Sequence, residues 1–172
     1  KKKKNLRLID ASDFDQSEIL RYNSCFGNIL LQTEDKIKFT KNDFKIVSKK
    51  KPSKSQFRDL LFAFNICRYV KSNAIVLASD LTTVGIGSGQ PSRLDSCKIA
   101  IDKMKKNVNQ AANIVAASDA FFPFIDGIEK LVQSGVKAVI QPEGSIRDKE
   151  VIKFANETNT ILVFSKTRHF RH

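Results

Sequence analysis

No stretch of the chain approaches the roughly 20 consecutive apolar residues that a membrane-spanning helix needs. No signal-peptide pattern opens it either. Cysteine is scarce: Cys25, Cys67 and Cys97 are odd in number and form no C-x-x-C pair. That argues against a disulfide scaffold and a cysteine-based zinc site, and fits a reducing cytoplasm. The three thiols read as small core or surface groups. The two histidines, His169 and His172, both lie in the last few residues. The H-x-E…P-C-x-x-C signature of zinc deaminases is therefore missing, as are the H-E-x-x-H, G-x-S-x-G and EF-hand patterns. No metal site is expected. Methionine occurs once, at Met104, and the chain opens on Lys1. It reads as a piece of a longer protein, with room upstream for half of an active site.

What is present suits a globular fold. The 172 residues, 41% of them hydrophobic, suffice for one domain or slightly more with a real core. Net charge is +12, from 30 Lys and Arg against 18 Asp and Glu. Such a field favours anionic partners: nucleic acid, nucleotides, or other phosphorylated or carboxylated molecules. The excess is mostly lysine, and it is dense only at Lys1–Lys4 and Lys49–Lys51. A solvated lysine-rich surface accounts for it better than a nucleic-acid stripe laced with arginine and aromatics.

Residues 1–51 read as a strand- and turn-rich segment, with strands expected over Asn5–Ile9, Asn28–Gln32 and Phe44–Ser48. The pattern changes at Pro52. Ser53 with Gln56 three residues later forms a capping-box sequence. Phe57, Leu60, Leu61, Phe64 and Cys67 then repeat at helical spacing. Ala74–Ala78 and Thr83–Gly87 read as a hairpin around a turn at Asp80–Thr83. Pro91 suits the first turn of a helix that continues through Leu94, Cys97, Ile101 and Met104. Asn113–Ala117, Lys137–Gln141 and Thr160–Phe164 read as strands. Asp126–Gly135 carries a helix ending at a glycine cap. Ser145 with Asp148 predicts a second capping box, opening a helix through about Asn156. Short apolar strands alternating with helices predict an α/β fold: a three-layer α/β/α unit over residues 52–172 with a mixed sheet.

Ligands on open α/β sheets bind in the loops beyond the strand ends, and three such loops carry chemistry. In Gly85-Ile86-Gly87-Ser88-Gly89-Gln90-Pro91-Ser92-Arg93, the glycines permit close backbone approach to a ligand and Arg93 offers a fork for an anion. A tight turn needing glycine explains the same residues equally well. In Ser118-Asp119-Ala120-Phe121-Phe122-Pro123-Phe124-Ile125-Asp126, aromatics could stack on a flat heterocycle while a carboxylate bonds its nitrogens. A hydrophobic plug with Asp126 as helix cap is the plainer alternative. In Gln141-Pro142-Glu143-Gly144-Ser145-Ile146-Arg147-Asp148, Ser145 is expected to cap, with backbone N–H groups open to a ligand. The tail Arg168-His169-Phe170-Arg171-His172 either reaches a phosphate or a neighbouring subunit, or is a frayed end.

Taken together, Lys71-Ser72-Asn73-Ala74-Ile75-Val76, GIGSGQPSR, SDAFFPFIDG, VIQPEGSIRD and the terminal RHFRH resemble the AICAR formyltransferase/IMP cyclohydrolase family, from about Pro52 to His172. The resemblance implies a cytidine-deaminase-like α/β/α fold without zinc. It implies transfer of a formyl group from 10-formyltetrahydrofolate to the 5-amino group of AICAR, an aminoimidazole carboxamide ribonucleotide. The longer protein would also close the product to IMP. It would be a cytoplasmic homodimer with formyltransferase sites shared between subunits, and neither membrane nor nucleic acid is an expected partner. By the same resemblance, Asn73 would sit at the reacting amine or formyl group. Arg93 would hold AICAR or the folate, Leu94 would line the folate pocket, and Phe121 would pack on the AICAR ring. Asp126 would bond the pterin, Ser145 and Ile146 would line the folate site through backbone groups, and Arg168 would approach AICAR. The family's central Lys-His pair is absent, since no Lys-His dipeptide occurs here, so the fragment alone should be inactive.

Three positions depart from the family pattern. Glu143 stands where glycine is usual, which predicts strain if that position needs a positive φ and otherwise places a negative charge near a folate carboxylate. Phe64 stands where tryptophan is common, and Pro91 where methionine often occurs. Two other readings are kept: a basic α/β nucleic-acid-binding module, and a degenerate deaminase-like scaffold with no affinity for folate or AICAR.

Overall fold

The computed structural model describes residues 7, 9, 10, 12, 13, 20–107 and 113–172. The strand expected over Asn5–Ile9 lies outside them except for Arg7 and Ile9. The chain forms two compact units, Lys1–Lys36 and Ile37–His172. In the first, β1 (Leu20–Cys25) and β2 (Asn28–Thr33) make an antiparallel hairpin. Its two turn residues, Phe26 and Gly27, both have positive φ, the requirement of a two-residue type I′ hairpin turn. Arg21 and Glu34 close the open end at 2.7 Å.

The second unit is built on a six-stranded mixed sheet. Its members are β3 (Phe44–Ile46), β4 (Ile75–Ser79), β5 (Thr82–Gly87), β6 (Val115–Ser118), β7 (Ala138–Pro142) and β8 (Ile161–Ser165), in the order β3-β8-β7-β6-β4-β5. Strands β6, β7 and β8 run parallel; β4 is antiparallel to both β5 and β6, and β3 to β8. Every residue of β4, β6, β7 and β8 is buried. That is why these strands read as unbroken apolar runs rather than as alternating ones.

Alternate residues of each strand feed two cores. Val76, Ala78, Val115, Ile140 and Val163 pack with Leu60, Ala63, Phe64 and Cys67 of helix α1 (Lys54–Cys67). Ile75, Leu77, Ala116, Val139 and Leu162 face the other way. They meet α2 (Arg93–Asn107), α3 (Asp126–Gln133) and α4 (Asp148–Glu157). The result is three layers, with one helix on one face and three on the other. Phe64 is fully buried within the first core.

Local chemistry explains most element ends. Ser53 and Gln56 form the reciprocal capping box of α1. Asp80 and Leu81 both adopt left-handed φ at the β4–β5 turn. The buried Asp59 carboxylate accepts from both of their N–H groups at 3.0 Å. Gly135, at φ +98°, follows the end of α3.

Two local expectations are corrected, and one open alternative is decided. Helix α4 begins at Asp148 with Arg147 at its cap position, and Ser145 does not cap it. The Ser145 hydroxyl instead accepts from the Arg147 N–H, and the Asp148 carboxylate accepts from the Gly144 N–H. Those bonds build a turn that delays the helix. Pro91 precedes α2 by two residues, and its carbonyl accepts from Asn73. Positive φ falls on Gly144 and not on Glu143, so the glutamate carries no backbone strain.

Candidate functional site

Four loops meet at one end of the strands of the main sheet. They are the segment entering β4, the β5–α2 loop, the β6–α3 loop and the β7–α4 loop. A cleft of about 450 Å³ opens there, lined by Asn73, Pro91, Ser92, Arg93, Leu94, Phe122, Pro123, Phe124 and Asp126. Expected site residues Asn73, Arg93, Leu94 and Asp126 thus share one cavity.

Asn73 follows a cis Ser72–Asn73 peptide bond. Its side-chain nitrogen donates to the Gln90 carbonyl at 2.8 Å and the Pro91 carbonyl at 3.1 Å. Both amide hydrogens are thereby used on the β5–α2 loop, and the Oδ1 acceptor is what the side chain has left for a ligand. The Asn73 carbonyl accepts from the Ser96 hydroxyl of α2 at 2.8 Å, which ties the strand entry to the helix.

Arg93 is held from below. Its Nε donates to Ser118 Oγ at 3.0 Å, and its Nη2 donates to Asp119 Oδ1 at 2.7 Å. Asp119 is fully buried. Sequence reasoning singled out neither Ser118 nor Asp119 as a site residue. The place of Asp119 directly after an apolar strand, where a charge has no other reason to be, was the available signal.

Asp126, the first residue of α3, is exposed and accepts from the Gly127 N–H at 2.7 Å. It does not cap the helix from outside, because Ile125 holds the cap position. Of the three phenylalanines, Phe122 and Phe124 line the cleft, while Phe121 is half-buried and is not among the lining residues. Ser145 and Ile146 lie on the neighbouring β7–α4 loop, where Ile146 is fully exposed. Arg147 of that loop stacks over Phe124 at 4.7 Å from the ring centre, so the loop borders the cleft.

The tail is docked and not frayed. His169 is buried against Phe64, with ring centres 4.5 Å apart, and its backbone N–H donates to the Asp119 backbone carbonyl at 2.8 Å. Ser72 and Arg171 exchange bonds of 3.0 and 3.1 Å. Arg168 is exposed, over the Phe170 ring, and does not line the cleft.

Two thiols lie beneath these groups. Burial pushes the Cys97 thiol up to about 12, with the Arg93 charge opposing and the Asp126 charge adding. Burial also raises Cys67, and the Asp119 charge adds to it. Both are inert, protonated core groups, since the thiolate is the reactive form. Among the described residues, no three His, Cys, Asp or Glu side chains cluster as a metal site would require. No helix among them is long and apolar enough to cross a membrane.

The glycines of the first loop have a role that neither earlier reading gave. Gly85 and Gly87 lie in β5, and a Cβ on either would collide with backbone of α2, at Ala100 and Ser96 respectively. They admit a helix, not a ligand. Gly89, at φ +67°, is the turn residue.

Fold and cleft define a class: a three-layer α/β domain with a cleft among the loops at one end of a mixed sheet. Comparison gives the family. The model of the AICARFT/IMPCHase bienzyme family matches residues 1–103, and the chain belongs to that family. The bifunctional purine biosynthesis protein PurH of Leptospira biflexa is 45% identical over 172 residues, covering 99% of this chain and 34% of the relative. Its namesake in Persephonella marina is 44% identical over 99% of this chain and 33% of the relative. The Streptococcus thermophilus protein is 42% identical with the same coverage. The chain spans about a third of the length of the curated relatives it matches.

Proposed function

We propose that this chain supplies the ligand-holding part of an AICAR formyltransferase within a bifunctional enzyme that also closes the product to IMP. The observation that carries the reading is the meeting of Asn73, Arg93, Leu94 and Asp126 around one cleft. The sheet order β5-β4-β6-β7-β8, with an antiparallel hairpin beside three parallel strands, supports a cytidine-deaminase-like architecture.

In this reading the 5-amino nitrogen of AICAR attacks the formyl carbon of 10-formyltetrahydrofolate. The amine loses a proton, the carbon–N10 bond breaks, and N10 takes a proton. An aromatic amine conjugated to an amide is a poor nucleophile, so alignment and proton transfer dominate. Asn73, left with an acceptor, is suited to an N–H of the attacking amine. Leu94, Phe122 and Phe124 give apolar walls to a flat heterocycle, and Asp126 accepts from pterin N–H groups. Ser145 and Ile146 continue the folate side, and Phe121 and Arg168 complete the AICAR side. The proton work falls to a Lys-His pair absent from these 172 residues. The working form is a cytoplasmic homodimer with shared sites.

The test is a formyl-transfer assay on the full-length protein and on this chain alone. We expect turnover by the first and none by the second. Absence of AICAR and folate binding to the full-length protein in calorimetry would end the reading.

A second reading has its own observation. Lys49, Lys149 and Lys153, with Ile152, Asn156 and Glu157, line a surface groove along α4 that shares no residue with the cleft. A nucleic-acid module would use such a groove, and its binding would fall steeply with salt. Filter binding across salt concentrations separates the two.

A further inference from the structure

Arg93 reaches the cleft from the first turn of α2, and its side chain is 11% exposed. Its guanidinium is planar and carries five donors in a fixed fork. Two are committed, Nε to Ser118 Oγ and Nη2 to Asp119 Oδ1. Two bonds from one planar group, to two different residues, leave that plane little freedom to rotate.

The groups beneath are themselves anchored. The Ser118 hydroxyl donates to the Ala120 carbonyl at 2.6 Å. Asp119 is held by its own backbone: its N–H donates to the Ala74 carbonyl at 3.2 Å, and its carbonyl accepts from His169 at 2.8 Å. It therefore ties together the segment entering β4, the β6–α3 loop and the C-terminal tail. Its carboxylate is fully buried, and Asp119 does not line the cleft. Whatever it does for a ligand it does through Arg93.

The pair also has an electrostatic effect. Arg93 and Asp119 sum to zero charge, and a buried pair is screened little by salt. The cleft thus receives directed N–H donors from Arg93 with the cation's charge compensated.

We propose that Asp119 is a positioning residue that acts through Arg93. It fixes the direction of the guanidinium's remaining donors and cancels their net charge, so the cleft selects an acceptor by geometry and not an anion by charge. The inference rests on the formyltransferase reading for its catalytic effect, while its electrostatic effect is measurable without turnover.

Asp119→Asn in the full-length protein keeps an acceptor oxygen for Nη2 and removes the charge. With inorganic sulfate as the probe, calorimetry should show binding at least threefold tighter than in the unaltered protein. The Asp119→Asn, Arg93→Gln double variant should lose that gain. In the formyl-transfer assay, kcat of Asp119→Asn should fall at least tenfold while the KM for the folate changes less than threefold. Unchanged sulfate affinity in the folded variant, or kcat within twofold of the unaltered protein, overturns the proposal. If Asp119→Asn does not fold, Ser118→Ala frees Nε alone. It should lower kcat at least threefold with sulfate binding unchanged, and an unchanged kcat there also overturns the proposal. An unaltered protein that does not formylate AICAR removes the functional reading instead, and the sulfate comparison then still decides the role of Asp119.

Discussion

Gly87 and the Ser96 carbonyl face each other with no room between them for a Cβ. Strand β5 and helix α2 touch backbone to backbone at that point, and again where Gly85 faces the Ala100 carbonyl. Ser96 in turn donates to the Asn73 carbonyl. The seat of α2 on β5 therefore sets where Arg93, Leu94 and Asn73 stand at the cleft.

Gly87→Ala should accordingly cost about 3 kcal/mol, because backbone must move to admit the methyl group. Gly89→Ala meets only the flexible Lys71 side chain and pays for its positive φ alone, about 1 kcal/mol. Urea midpoints of the two variants should rank in that order. Equal midpoints would contradict the close contact.

Asp59→Ala should destabilise the fold by about 2–3 kcal/mol. It removes two charge-assisted bonds to the Asp80 and Leu81 N–H groups. Asp59→Asn, with one acceptor oxygen, should fall between. Thermal melts of the three proteins check the order.

Alkaline stability should depend on Cys97. Its folded value, about 12, lies above its ordinary 9.0 because of burial. The unfolded chain therefore releases this proton first as pH rises. The contribution is fully present below about pH 9 and is lost progressively toward about pH 12, by at most about 1.4 kcal/mol per pH unit. Cys97→Ala should lower stability at neutral pH by leaving a cavity, yet show a shallower decline above pH 9. Urea midpoints between pH 8 and pH 10.5 read this directly; parallel declines would exclude the effect.

Asp126→Ala in the full-length protein should weaken binding of a reduced folate about tenfold and AICAR less than threefold, since one accepted hydrogen bond to a charged group is worth about 1.5 kcal/mol. Calorimetry with each ligand separately is the check. Equal losses would count against the pterin role.

The parts of this fold that were legible in the sequence are those set by near neighbours. Ser53 and Gln56 announced α1 because a capping box spans three residues. The buried strands announced themselves as short apolar runs between helices. Ser145 misled because Asp148 bonds Gly144 locally and postpones α4, a choice that spacing alone does not reveal. Asn73 and Leu94 were named through motif resemblance alone, while Arg93 and Asp126 also stood out in the loop pattern; all four line one cleft. The Arg93–Asp119 pair spans 26 residues, and the packing role of Gly85 and Gly87 depends on a helix that no strand pattern specifies. The tail gave two opposite readings, and only tertiary contact decides that it docks.

That docking has a kinetic consequence. Ser72 and Arg171 meet across 99 positions of sequence, and His169 reaches Asp119 only once β8 has joined the sheet. Contacts so distant along the chain carry a larger loop-closure entropy than helix turns or a short hairpin, and form later. The docking of the tail should therefore follow the formation of α1 and the β4–β5 hairpin. In a hydrogen-exchange pulse during refolding, the amides of Ser72, His169 and Arg171 should gain protection after those of α1 and of the β4–β5 hairpin.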